Sequence, residues 1–339
     1  MHRRRQAASW FAKKNAVRHP GIFLREFLAG LPFLPRMPSM PKTFAGLWPA
    51  LVTPMTAAGS PNLESVQLLV ERFVAEGLDG LYVTGSTGQW PLLSVAERKA
   101  ILEATVEAAA GRLTIMAHVG AMTTPEAVEL AKHAAKAGAD AISTVAPIYY
   151  GYSSDVVFQH YHEIGAAGEL PLYVYHFEPA HKLGIGIQDY AQRLLAIPNI
   201  AGLKMTSFDL NLIGLLHKAT ADRLKLFSGA DELMAHAILS GVVGAIGTFY
   251  NVWGTACRKV WFAAKERPSM QTQRFMLQFQ AAIAEVLGSG STWSFLEAAV
   301  RLKHGVEIGR PRAPLGMCDK AWNDEDVMKL LKAVDAAAE

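Results

Sequence analysis

A lysine closes an otherwise apolar segment, Ile200-Ala201-Gly202-Leu203-Lys204. An amine held at the end of such a segment loses hydration. Its ammonium form is then disfavoured, and the free base becomes a nucleophile for carbonyl carbon. A lysine can instead run along the surface to water, but this segment offers no such surface, so chemistry is the favoured reading of Lys204. Other reactive side chains follow apolar segments in the same way. Thr84-Gly85-Ser86-Thr87-Gly88-Gln89 sets two hydroxyl residues between glycines, a turn whose backbone N–H groups can face a carboxylate. An ordinary Gly-rich turn accounts for the same residues. In Ala146-Pro147-Ile148-Tyr149-Tyr150 a phenol can relay a proton, while paired aromatics also serve plain packing. Tyr175-His176-Phe177-Glu178-Pro179 carries a histidine able to titrate near neutrality or to be a satisfied structural group. Ser228-Gly229-Ala230-Asp231-Glu232 and Gly247-Thr248-Phe249-Tyr250-Asn251 supply carboxylates and a hydroxyl that can hold a polyhydroxy substrate. Asp231 can equally cap a helix that follows it.

Bringing these residues together needs a scaffold whose apolar segments all end at one rim. From Phe44 onward the chain alternates short apolar segments with longer amphipathic ones. Strands are expected at Gly46–Val52, Gly80–Val83, Leu113–His118, Ala141–Val145, Leu172–Tyr175, Ile200–Lys204, Leu224–Phe227 and Val242–Gly247. A helix is expected after each, including Asp231–Leu239 after the seventh and Gly254–Lys265 after the eighth. Continuously apolar strands suit parallel pairing with both faces covered. Eight such units predict an α/β fold, a (β/α)₈ TIM barrel over residues 44–266, whose site lies at the C-terminal strand ends. An open doubly wound sheet is the alternative, but no Gly-rich dinucleotide fingerprint follows the first strand. Helices at Met270–Leu287, Ser291–His304 and Asn323–Ala338 form an expected C-terminal extension, 267–339.

With 51% hydrophobic and 19% charged residues, the chain has the make-up of a globular protein with a large core. Its net charge of +3 is unevenly spread: residues 1–43 hold nine Lys or Arg against one acid, leaving 24 basic and 29 acidic residues elsewhere. That tail reads as a basic N-terminal extension, either like a transit peptide or preceding a true start at Met37 or Met40. The body shows no basic pattern for nucleic acid, and no apolar run reaches the ~18 residues of a membrane span. Cys257 and Cys318 stand apart with no partner at metal spacing, so neither a disulfide framework nor a zinc site is expected, and a cytoplasmic location is the default.

Together these segments make the chain resemble the N-acetylneuraminate lyase and dihydrodipicolinate synthase superfamily of class I aldolases, from about Phe44 to Leu315. Ile115-Met116-Ala117-His118-Val119-Gly120-Ala121, Gly247–Gly254 and Pro311-Arg312-Ala313-Pro314-Leu315 are similar to the lyase branch. The resemblance implies Lys204 as the Schiff-base lysine and Tyr150 as the proton-transferring tyrosine. It implies Ser86 and Thr87 as carboxylate binders, with Thr206, Gly229, Asp231, Glu232 and Thr248 lining the sugar side. The implied reaction is retro-aldol cleavage of N-acetylneuraminate to pyruvate and N-acetylmannosamine by a homotetramer, with no metal or organic cofactor.

Some residues depart from that pattern. Gln89 stands where the family usually has Glu, and Ala230 replaces an aromatic residue common in bacterial sialic acid lyases. The Tyr175–Gly184 loop is longer and carries His181 and Lys182. No Arg occurs between Tyr175 and Tyr190, which counts against the synthase branch, whose second substrate needs a cation there, although Lys182 can partly substitute. Two further readings stay open: an aldolase or dehydratase for another sugar-derived 2-oxo acid, and a non-catalytic barrel that binds a 2-oxo acid.

Overall fold

The computed structural model describes residues 42–177 and 184–339, so residues 1–41 of the basic tail and the His181–Lys182 stretch of the longer loop lie outside the described residues. Eight strands alternate with helices: β1 (Gly46–Pro49), α1 (Leu63–Ala75), β2 (Gly80–Val83), α2 (Val95–Ala109), β3 (Thr114–His118), α3 (Thr124–Ala137), β4 (Ala141–Val145) and α4 (Ser154–Ala167). The second half continues with β5 (Leu172–Phe177), α5 (Ile187–Leu195), β6 (Ile200–Thr206), α6 (Leu210–Ala219), β7 (Lys225–Ser228), β8 (Gly244–Gly247) and α7 (Tyr250–Glu266). Helices α8 (Met270–Gly288), α9 (Thr292–His304) and α10 (Asp324–Ala337) follow.

All strand pairs are parallel, and the order β1-β8-β7-β6-β5-β4-β3-β2 wraps until the ends meet. A parallel bridge between Ala50 and Tyr82, with Leu51 N–H donating to Tyr82 O at 2.9 Å, closes the ring. The open sheet is therefore excluded. Strand residues pointing outward, such as Leu203 and Met205, join the large core under the helices. Those pointing inward fill the barrel with Trp48, Tyr82, Met116, Tyr173, Phe227 and Ile246. Room for these rings comes from glycine: a Cβ on Gly80 would meet the Trp48 indole, and one on Gly202 the Tyr173 ring.

One expected helix is absent. Asp231–Leu239 forms two short 3₁₀ turns, Asp231–Leu233 and His236–Ser240. The carboxylate of Asp231 is committed to backbone N–H groups of the next unit and caps nothing of its own. In the eighth unit α7 begins at Tyr250, four residues earlier than the spacing predicts.

The C-terminal helices are tied to the barrel by a buried polar link. His304, at the end of α9, donates from Nε2 to Asn251 O at 2.8 Å, and its Nδ1 lies 3.1 Å from Glu76 Oε1. Asn251 in turn donates to the carbonyls of Ala50 and Thr248 and accepts from Val52 N–H. Burial pushes the Glu76 carboxyl up, but the His304 and Thr255 hydrogen bonds outweigh it and leave the pKa lowered. Glu76→Gln is expected to cost roughly 3 kcal/mol at neutral pH, since it strands a buried partner. A carboxyl with a lowered folded pKa stabilises above its unfolded value and loses that contribution as pH falls. Urea titrations should therefore show the wild-type advantage shrinking below about pH 4.

Candidate active site

Inward and outward positions alternate along β6, so Gly202, Lys204 and Thr206 share the barrel interior. Register sets Lys204 beside Tyr175 of β5 and Phe227 of β7. The lysine is 4% exposed, and its Nζ lies 4.4 Å from the ring centres of both Tyr82 and Tyr175. Desolvation drives its pKa down to about 7, against a smaller opposing pull from Asp231. At neutral pH a large share of this amine is free base, as carbonyl addition requires.

The Gly85–Gly88 turn follows β2 and is bounded by two left-handed residues, Thr84 (φ 53°) and Gln89 (φ 62°). For β-branched Thr84 that conformation is strained, so something must hold it. Its hydroxyl donates to His118 O at 3.2 Å, and His118 Nδ1–H donates back to Thr84 O at 3.1 Å. Inside the turn, Gln89 N–H donates to Ser86 O and Trp90 N–H to Gly85 O. The N–H groups of Ser86 and Thr87 have no acceptor among the described residues and remain open to an anion. Gln89 is buried, accepts from Arg312 N–H at 2.7 Å and donates to Thr53 O at 3.3 Å. An ionised Glu could make the first bond but not the second, which gives the family departure a local reason.

Tyr175 meets both parts of the site. Its hydroxyl lies 3.2 Å from Thr206 Oγ1 and also bonds the Ser86 side chain. Burial, more than any other effect, raises its pKa, so it rests as a neutral phenol suited to relaying protons. Thr206 donates to Gly229 O at 3.3 Å, and a Cβ on Gly229 would strike the Thr206 hydroxyl. Thr87 and Thr248 share a hydroxyl–hydroxyl bond of 2.7 Å across the rim.

Asp231 is buried and accepts from the N–H groups of Thr248 (3.2 Å) and Phe249 (3.0 Å). Burial first, then the neighbouring Glu232 charge, raises its pKa to about 7. Glu232 is half-buried beside it, with its backbone carbonyl held by Gln280 of α8 at 2.7 Å. Lys204, Ser86, Thr87, Thr206, Gly229, Asp231, Glu232 and Thr248 thus all lie at the C-terminal rim of β2 and β6–β8.

Tyr150 lies elsewhere. It sits on the loop after β4, is 67% exposed, and packs its ring edge-on against Tyr149 and Tyr152. Its phenol makes no hydrogen bond among the described residues. The phenol next to the amine is that of Tyr175, although within that segment the sequence draws attention to its neighbour His176. A signal was present: Tyr175 and Lys204 each end an apolar strand, and residues ending adjacent parallel strands share one level. His176 itself is buried with Nδ1 3.4 Å from the Tyr190 hydroxyl.

Among the described residues no helix is long and apolar enough to cross a membrane, and no cluster of ligands suits a metal ion. Cys257 and Cys318 are both free, the first buried and the second exposed.

The chain is similar to several known proteins. An N-acetylneuraminate lyase of Salmonella agona is 33% identical over 284 residues, spanning 84% of this chain and 95% of that protein. One from Rhizobium meliloti is 40% identical over 209 residues, spanning 62% and 69%. The solved sialic acid aldolase of Ruminococcus gnavus superposes with a TM-score of 0.79 at 27% identity, covering 87% of this chain and 97% of that one. The N-acetylneuraminate lyase of Mycoplasma synoviae gives 0.76 at 30% identity, covering 87% and 98%. Residues 43–334 match the dihydrodipicolinate synthetase family, and the chain belongs to it.

Proposed function

We propose that the protein is a Schiff-base lyase that cleaves N-acetylneuraminate to pyruvate and N-acetylmannosamine. The observation that carries the mechanism is the Lys204 amine, buried between two aromatic rings with its pKa lowered to about 7. The lyase and aldolase names of the relatives support the substrate.

In this reading the substrate carboxylate rests on the open N–H groups of Ser86 and Thr87. Lys204 adds to the C2 carbonyl of the open-chain sugar and expels water, giving an iminium. Tyr175, rather than Tyr150, passes its phenolic proton by way of Ser86 to the substrate carboxylate and takes the C4 hydroxyl proton in its place as the C3–C4 bond breaks. The electron pair moves into the iminium, leaving an enamine of pyruvate and the aldehyde of N-acetylmannosamine. Protonation at C3 and hydrolysis then release pyruvate and restore the amine. Thr206, Gly229, Asp231, Glu232 and Thr248 hold the sugar hydroxyls. A homotetramer in the cytoplasm belongs to the same reading, and sedimentation velocity tests the assembly.

Pyruvate release from N-acetylneuraminate, coupled to lactate dehydrogenase, tests the substrate, and borohydride trapping with pyruvate tests the imine. Release together with a trapped adduct on Lys204 is expected. An adduct without release would move the substrate to another sugar-derived 2-oxo acid. That second reading draws on buried Ala230, where the resemblance to bacterial sialic acid lyases implies an aromatic side chain.

Since the free amine is the reactive form, kcat/KM should fall as pH drops below about 7. Asp231 pulls the Lys204 pKa upward, so Asp231→Asn should move that acid limb to lower pH. An unmoved limb in a pH–rate profile would mean that another group controls it.

A further inference from the structure

Arg98 takes no part in the steps above, yet it is a buried charge beside them. It lies on α2, is 4% exposed, and forms no ion pair among the described residues. Its Nη2 donates to His118 O at 2.6 Å and its Nη1 to Gly120 O at 2.9 Å, both at the C-terminal end of β3. Nε has no partner, and the guanidinium lies 5.5 Å from the centre of the Trp90 ring. A guanidinium buried against carbonyls alone is a poor source of stability, so its placement calls for another reason.

The reason lies in what the His118 carbonyl does next. That oxygen also accepts from the Thr84 hydroxyl, and the His118 ring returns a bond to Thr84 O. Burial and the nearby Arg98 charge keep the imidazole neutral, which leaves Nδ1–H as its single donor. Thr84 is the strained residue that aims the Gly85–Gly88 turn. Trp90, under the guanidinium, fastens the far side of that turn through its N–H to Gly85 O at 3.2 Å.

We infer that Arg98 is a positioning residue: with His118 it locks Thr84 in its left-handed conformation, so that Ser86 and Thr87 present their N–H groups to the carboxylate of a 2-oxo acid. The inference rests on the Schiff-base reading above. It assigns Arg98 to binding rather than to bond cleavage, and it depends on the fork geometry rather than on charge alone.

The test measures the pyruvate concentration that half-saturates borohydride trapping, alongside KM and kcat for N-acetylneuraminate. Arg98→Lys keeps the charge and loses the fork. It is expected to raise half-saturation and KM roughly tenfold or more, while kcat and maximal trapping stay within about threefold. Adding Thr84→Gly, which adopts a positive φ without strain, should bring half-saturation back toward the wild-type value. Should Arg98→Lys fail to fold, His118→Phe carries the same test, because it deletes only the bond to Thr84 O and keeps a ring in place. A wild type that traps no pyruvate overturns the Schiff-base reading and this inference with it. A wild type that traps normally overturns this inference alone if Arg98→Lys is unchanged, if kcat falls while KM holds, or if Thr84→Gly fails to rescue.

Discussion

Lys204→Met is expected to abolish pyruvate release, by roughly 10⁴-fold or more, and at the same time to raise the melting temperature. The two effects share one cause. Lys204 is buried with its pKa pushed from 10.5 to about 7, so folding at neutral pH must strip a proton or bury a charge. That penalty is on the order of 4 kcal/mol. A base whose folded pKa lies below its unfolded value makes the protein less stable at low pH, and the penalty fades as pH climbs from about 7 toward 10.5. Methionine is unbranched, one heavy atom shorter and uncharged, so it removes the penalty while leaving little unfilled space. Even a third of it is worth about 2 °C in a domain of roughly 300 residues, within reach of calorimetry. Calorimetry at pH 7 and pH 10 separates the readings. A gain at pH 7 that narrows at pH 10, with catalysis lost, marks a group kept for chemistry at the expense of stability. A melting temperature that falls at both pH values makes Lys204 a packing residue, and retained pyruvate release removes it from the mechanism.

How far the sequence discloses such a site depends on which distances the chain itself fixes. The alternation that predicts a barrel is a local property: parallel strands covered on both faces read as apolar runs, and most of the eight end in or lead into Gly or polar residues. Lys204 stands out for the same reason, being the one cation at the end of such a run. Relations across strands are not local. Tyr175 and Lys204 are 29 positions apart and become neighbours only because β5 and β6 pair in a register that matches them. Tyr150 also follows a strand, but it lies five residues beyond the end of β4, on a loop that carries it out toward solvent. Asp231 could be read as a helix cap because sequence shows the residues next to it, not the Thr248 and Phe249 N–H groups that claim it from the following unit. Arg98 was illegible altogether, since its acceptors are main-chain carbonyls, which carry no residue signature.

The two tyrosines yield the second large effect. Tyr175→Phe is expected to lower kcat by roughly 10²–10⁴-fold, the usual worth of a positioned proton-transfer group, with a smaller change in KM. Phenylalanine keeps the ring beside the Lys204 amine and the packing against Trp90 and Val145, so imine formation should survive. What disappears is the hydroxyl that links Thr206 to Ser86 and stands ready for the C4 proton. Borohydride trapping with pyruvate should therefore remain efficient while turnover of N-acetylneuraminate collapses. Tyr150→Phe removes a hydroxyl that bonds nothing among the described residues, and its kcat should stay within about tenfold of wild type. The reverse ranking would mean that the loop after β4 swings in during turnover and that Tyr150 delivers the proton. Equal, large losses would place both phenols on one relay, with Tyr175 next to the amine and Tyr150 closing over the sugar.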